Sequence, residues 1–357
     1  MTDILMIFMA GGAVLGGIDH MLGNRLGFGQ RFEEAFRLLG AIALSMAGII
    51  CLAPVLSAMI GILVVPVWGW LGFDPAIFGG VLAIDMGGYQ MAMDLAQDPS
   101  VGRFAGIILS ATFGCTVVFT IPVGMGAIRA EDRPHFTKGI LLGLITMPAG
   151  ILAGGLISGM DAGTLVWNCI PVFLVSTVLC VGLWKFPASM MCLFGRFAKA
   201  MEWLAILGLT LGAVEYMTGW AILPKMIPLE DAMAVACSIS IVMLGSMPLA
   251  ELLQRILAVP FGWVGKHTGL NQTSTTGLLV GMVSVTPALA MVPRMDDRGK
   301  VVNGAFLVCA ASAFAAHLGY TLTAEPSLAV ALLTAKFTGG ALAVILALAI
   351  TGKNRTP

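Results

Sequence analysis

Charge is what this chain lacks. Of 357 residues only 19 are basic and 19 acidic, 11% together, against about 25% in an ordinary soluble domain. That scarcity excludes a soluble enzyme and a disordered chain. Net charge is zero and the basic residues form no cluster, which excludes a nucleic-acid partner, because nothing could neutralise a row of phosphates. The seven cysteines are odd in number, scattered, and never spaced Cys-x-x-Cys. They predict no metal site and no disulfide framework, only small buried hydrophobes. The sequence also has no His-Glu-x-x-His, no Gly-x-Ser-x-Gly, no Walker loop and no Gly-x-Gly-x-x-Gly, so it offers no catalytic constellation and no cofactor site.

What remains is apolar: 58% hydrophobic residues and 45 glycines. Uncharged runs cover residues 4–18, 38–73, 104–128, 139–160, 162–184, 232–250, 268–293 and 301–324. Two further spans with one or two internal charges lie near 197–220 and 327–351. About 20 apolar residues cross a bilayer as a helix, so the expected class is an all-α polytopic membrane protein. The runs are too long and unbroken for outer-membrane strands. Asp3 stands where a signal peptide would carry basic residues, and the first run reads as a span. The 23 methionines are spread along every helix and read as core filling.

An internal repeat sorts the segments. Pro54 and Pro66 recur as Pro248 and Pro260, Gly80 as Gly277, and Gly102-Arg103 as Gly299-Lys300. The run 38–73 is too long for one span, and its partner carries Glu251, Gln254 and Arg255 on one helical face. That pattern predicts an interfacial helix at residues 249–266, and by the repeat another at 55–72. Each is followed by a broken segment: 75–96, interrupted at Asp85-Met86-Gly87-Gly88, and 272–293, interrupted at Ser284-Val285-Thr286-Pro287. Short hydrophobic segments broken at matching places in two halves point to a transporter binding site.

The expected architecture is two inverted repeats with about nine transmembrane helices, two re-entrant hairpins and two interfacial helices. Residues 1–160 form the first repeat with hairpin 75–96, 161–186 a connecting span, and 187–357 the second repeat with hairpin 272–293. With the N-terminus outside and the C-terminus inside, 16 of the 19 basic residues fall in inner loops, as the positive-inside rule requires. Lys336 lies within the last span.

Asp85 is the foremost candidate. A carboxylate beside backbone groups freed at a hairpin break can hold a cation or an ammonium, or it can cap a helix. Met86, Gly87 and Gly88 would offer carbonyls. Ser284 and Thr286 mark the second break, and Asn303, His317 and Tyr320 are polar groups in the 301–324 run. The substrate site is expected between the two tips. Thr112 and Thr116 read more simply as groups bonded across helices, and Glu202 and Glu215 as charges near the two ends of one helix. Asp94, Asp98, Asp296 and Asp297 look like solvated hairpin termini.

The stretch from Phe32-Glu33-Glu34-Ala35-Phe36 through Leu52-Ala53-Pro54-Val55-Leu56 resembles the ethanolamine permease (EutH) family of bacterial ethanolamine-utilisation operons. So do Asp85-Met86-Gly87-Gly88, Phe119-Thr120-Ile121-Pro122, Ala153-Gly154-Gly155-Leu156-Ile157, and Met295-Asp296-Asp297-Arg298-Gly299-Lys300-Val301-Val302-Asn303. The resemblance runs along nearly the whole chain. It departs at Ser284-Val285-Thr286-Pro287, where the family has Asn-Asn-Ile-Pro, and at Ala316-His317, where it has Asp-His. In layout alone, the segment order is similar to that of concentrative nucleoside transporters.

The resemblance implies a multi-pass inner-membrane permease that takes up ethanolamine for its catabolism, with no cofactor. Ethanolamine is protonated at neutral pH, and an interior-negative potential favours its entry by about 2.3 kcal/mol per 100 mV. The alternative is ion-coupled transport of another small amine, amino alcohol or nucleoside-like polar metabolite. A lipid-headgroup enzyme would need a polar catalytic cluster, and a sensor would not need two broken hairpins. Expected partners are the small cationic substrate and the bilayer, with homo-oligomerisation left open.

Overall fold

The structure is a computed structural model that describes residues 2–82 and 88–352. All of its regular structure is helical among the described residues. Eight helical stretches are long and apolar enough to cross a membrane: Ile4–Met21, Phe28–Leu71, Pro99–Ala127, Arg133–Ile157, Ala162–Lys185, Pro187–Thr218, Leu229–Thr268 and Pro326–Thr351. The chain is a polytopic membrane protein.

Helix α1 (Thr2–Met21) ends in a turn closed by Asp19, whose carboxylate accepts from the amides of Leu26 and Gly29. The short amphipathic α2 (Phe28–Arg37) follows, and only Leu38 separates it from α3 (Leu39–Leu71). Helices α8 (Arg133–Ile157), α9 (Ala162–Lys185), α10 (Pro187–Thr218), α11 (Leu229–Thr268) and α16 (Ala329–Thr351) are the other long elements. Helix α1 packs on α11, and α10 packs on α3.

Two pairs of short helices lie in the segments 75–96 and 272–293. The first is α4 (Ala76–Leu82) with α5 (Gly88–Leu95), and the second is α12 (Gln272–Gly281) with α13 (Val285–Met291). Gly79 faces the backbone of Met91 and Ala92, so the first pair folds back on itself. Asp85, Met86 and Gly87 lie outside the described residues.

The two expected interfacial helices are not separate elements. Helix α3 runs unbroken for 33 residues through Pro54 and Pro66, and α11 for 40 residues through Pro248 and Pro260. The polar face of α11 finds partners within the protein. Glu251 pairs with Arg31 of α2 (3.1 Å) and with Arg255 (2.9 Å). Gln254 donates to the Leu279 carbonyl (3.2 Å), and Arg255 to that of Leu26 (2.7 Å). A polar stripe that seemed to need an aqueous interface thus lies against α2 and the second hairpin.

A second departure concerns the uncharged run 301–324, which is two helices and not one. Helix α14 (Asp297–Ala310) stops, residues 311–315 unwind, and α15 (Ala316–Ala324) resumes. The stretch from Pro99 to Ala127, by contrast, stays helical but changes pitch. Helix α6 (Pro99–Phe104) continues into π-helix at Ala105–Gly114 and Thr116–Thr120, then into α7 (Ile121–Ala127). π-helical turns are rare and frequently occur at functional sites.

Helix α8 packs closely against α14 and α16. A methyl group at Gly139 would collide with the Val301 carbonyl of α14, and one at Gly150 with the Ala335 carbonyl of α16. Small residues let these backbones approach closely, which is how helices associate where lipid supplies no hydrophobic drive.

Candidate functional site

Each hairpin is held at its base by a carboxylate. Asp74 is buried and accepts from the amides of Ala76 (2.9 Å), Gln97 (3.1 Å) and Asp98 (2.8 Å), joining the two ends of the α4–α5 element. Asp296 does the same for α12–α13. It accepts from the Asn271 amide (3.0 Å), the Ser274 hydroxyl (2.6 Å) and the Gly299 amide (3.0 Å). Asp98 and Asp296 also cap α6 and α14. Asp296 is therefore not the solvated terminus its charged neighbours suggested.

Above these bases the second hairpin meets the unwound link. The Ser312 amide donates to the Gly281 carbonyl and the Phe314 amide to the Met282 carbonyl, both at 3.0 Å. Ser312 takes a left-handed backbone (φ 54°) to do so, a conformation uncommon for a residue with a side chain. Main chain that leaves a helix at membrane depth must find partners in protein, and here it finds them on another broken element.

Lys336 reaches the same place from α16. It is only 1% exposed, and its Nζ donates to the Ala111 carbonyl (2.7 Å) and the Ala311 carbonyl (2.8 Å). Ala111 belongs to the π-helical stretch and Ala311 to the unwound link. Thr116 adds a direct tie, its hydroxyl donating to the Val308 carbonyl at 2.6 Å. His317 is buried, with Nδ1 3.3 Å from the Ala311 carbonyl that Lys336 also uses.

Tyr320, one turn further along α15, meets Tyr89 of the first hairpin edge to face, ring centroids 6.2 Å apart. Gly88, the described member of the Asp85 motif, is buried beside Tyr89 at the start of α5. The Tyr89 hydroxyl donates to Glu325 (3.1 Å), which pairs with Arg103 (3.0 Å).

The sequence-predicted residues divide accordingly. His317, Tyr320, Thr116 and Gly88 cluster around the link and the first hairpin. Ser284 stands half-buried at the start of α13 without a side-chain capping bond, while Thr286 is exposed. Asn303 is fully buried, and its amide holds the Ser274 and Gly299 carbonyls (2.9 and 3.0 Å), bracing α12. Thr112 bonds the Ile108 carbonyl within its own helix (2.6 Å). Glu202 is exposed on α10 and Glu215 half-buried there, both away from the junction's bonding network. Lys336, Tyr89 and Asp74 were not candidates. Only Lys336 had a signal, as a lone charge inside a span.

An apolar bundle that unwinds one helix, distorts another and buries a lysine between them is built around a polar centre. Comparison with known proteins agrees with that picture of a specialised membrane protein. No solved structure matches the chain. An uncharacterized protein of Bacillus subtilis, YxeR, is 39% identical over 95% of this chain and 92% of that protein. A probable ethanolamine permease of Listeria monocytogenes, EutH, is 37% identical over 96% of this chain and 91% of its own. The probable ethanolamine permease EutH of Escherichia coli is 35% identical over 98% and 95%. The family described as "Ethanolamine utilisation protein, EutH" matches residues 1–350, and a match of that extent, with relatives aligned almost end to end, makes the chain a member of the EutH family.

Proposed function

We propose that the chain is a permease for ethanolamine, with no enzymatic activity, in the bacterial inner membrane. The observation that carries this reading is the junction of residues 311–315, the π-helical stretch and the second hairpin, because irregular backbone at membrane depth is tolerated where it lines a site. The names of the Listeria and Escherichia relatives supply the substrate.

The architecture behind it is a pair of inverted repeats, residues 1–160 and 187–357, joined by the span at 161–186. Counting α14 and α15 as one interrupted span beside the eight long helices makes nine. Support comes from equivalent elements making reciprocal contacts, α1 on α11 and α10 on α3. The matching carboxylate clasps of Asp74 and Asp296 agree with it. An odd number of spans puts the termini on opposite sides, and the basic residues of the loops favour the N-terminus outside and the C-terminus inside. The hairpins enter from opposite faces and present their tips to the junction.

The substrate ammonium then sits between the tips, with Asp85 supplying charge and the carbonyls of Met86, Gly87 and Gly88 accepting from it. Ser284, His317 or Tyr320 reaches the hydroxyl. The test is uptake of radiolabelled ethanolamine into proteoliposomes, with and without an imposed potential. Saturable uptake that an interior-negative potential accelerates supports the reading, and uptake no faster than in empty liposomes refutes it.

A further inference from the structure

Broken helices in transporters commonly place a coupling cation among their unwound carbonyls. In this protein the carbonyls of Ala111 and Ala311, one from the π-helical stretch and one from the unwound link, converge on a single Nζ, that of Lys336, at 2.7 and 2.8 Å. Lys336 is 1% exposed, and no ion pair among the described residues includes it. A cation whose hydrogen bonds run to backbone carbonyls is held much as a hard metal ion would be held. Nothing in helix packing calls for it, since a buried charge is costly and an apolar residue would fill the space.

We propose that the Lys336 ammonium is a tethered cation standing where a coupling ion would bind, so that substrate movement proceeds without sodium. This deepens the transport reading and rests on it. The lysine joins the π-helical stretch to the unwound link permanently, doing with a covalent side chain what an ion would do reversibly. The substrate's own charge is then the one that moves, and the membrane potential acts on it alone. Lys336 is in this sense a positioning residue that touches the two interrupted helices.

The experiment uses the full chain in proteoliposomes with labelled ethanolamine. Wild-type uptake is expected to be unchanged when sodium chloride is replaced by the N-methylglucamine salt. Lys336→Ala is expected to lose about ten- to a hundredfold of its uptake in N-methylglucamine, the range that lost charge-assisted hydrogen bonds correspond to. Sodium, lithium or methylammonium should restore part of it by entering the vacated carbonyl site. Lys336→Met, whose side chain fills the space without a charge, should lose uptake and not be restored. Thermal unfolding in detergent gives a second readout: sodium should stabilise Lys336→Ala and leave the wild type unmoved.

Sodium-dependent wild-type uptake overturns the proposal, as does a Lys336→Ala protein that transports normally without a small cation. A Lys336→Ala protein that folds but is neither restored nor stabilised by any cation also overturns it, leaving the lysine a packing group. If wild-type protein fails to take up ethanolamine under every condition, the transport reading itself has failed. The sodium-dependent shift in unfolding then still judges the carbonyl site.

Discussion

Tyr89 and Tyr320 meet edge to face across the boundary between the first hairpin and the interrupted helix α14–α15, their ring centroids 6.2 Å apart. The Tyr89 hydroxyl continues the contact to Glu325, and Glu325 to Arg103. One chain of contacts thus runs from the hairpin's second arm to the far end of α15. Replacing Tyr320 with Ala should weaken ethanolamine uptake several-fold, since an aromatic pair adds about 0.5–1.5 kcal/mol beyond its buried area. Tyr89→Phe keeps the ring pair and loses only the bond to Glu325, so its effect should be smaller. Concentration dependence of uptake checks both, and equal losses in the two variants would refute the ordering.

Asp85→Asn should abolish or severely weaken uptake while the protein still reaches the membrane, because removing one partner of a buried charge pair costs roughly 2–5 kcal/mol. Ser284→Ala should raise the half-saturating concentration only mildly, as a neutral hydrogen bond contributes about 0.5–1.5 kcal/mol. Near-normal affinity in Asp85→Asn would make that carboxylate a helix cap.

Asp296→Ala removes the acceptor for two amides and a hydroxyl at the base of the second hairpin. Thermal unfolding in detergent should show a loss of about 1–3 kcal/mol, the scale of a lost cap and a charge-assisted bond. Asp74→Ala, which frees three amides at the first hairpin, should fall in the same range. A variant as stable as wild type would mean that water replaces the carboxylate there.

Gly150→Val should be worse than either. Its Cβ would collide with the Ala335 carbonyl and the Gly339 backbone, and overpacking of a close contact costs about 1–3 kcal/mol or more. Lower yield and earlier unfolding are the expected readouts, with Gly126→Val, in open space, as the tolerant control.

Accessibility labelling of single cysteines placed near the two ends should find them on opposite sides of the membrane. Both ends on one side would rule out an odd number of spans.

The second pair of short helices was legible from Ser284 and Pro287, although the break falls at residues 282–284 and Val285-Thr286-Pro287 open α13. The break at residues 311–315 was not, because Ala311-Ser312-Ala313-Phe314-Ala315 contains no breaker. Its amides are satisfied by the carbonyls of Gly281 and Met282, a pairing that depends on tertiary position alone. Lys336 stood out as a lone charge in a span, yet its partners are carbonyls, which every residue has and no sequence pattern marks. The polar face of Glu251, Gln254 and Arg255 was legible as polar, but its bonds to α2 and the second hairpin were not, since nothing local says that α2 will lie against it. Asp296 looked solvated because Asp297, Arg298 and Lys300 surround it, although its own oxygens turn inward to amides.

The joint between the second hairpin and the unwound link is made of main-chain atoms on both sides, Ser312 and Phe314 giving amides to Gly281 and Met282. Such a joint is indifferent to the identity of the side chains it carries. Ser284 and Thr286, whose side chains take no part in those bonds, can therefore be exchanged without loosening it. Sequence divergence among related chains should collect at such side chains and leave the seam between the two elements intact.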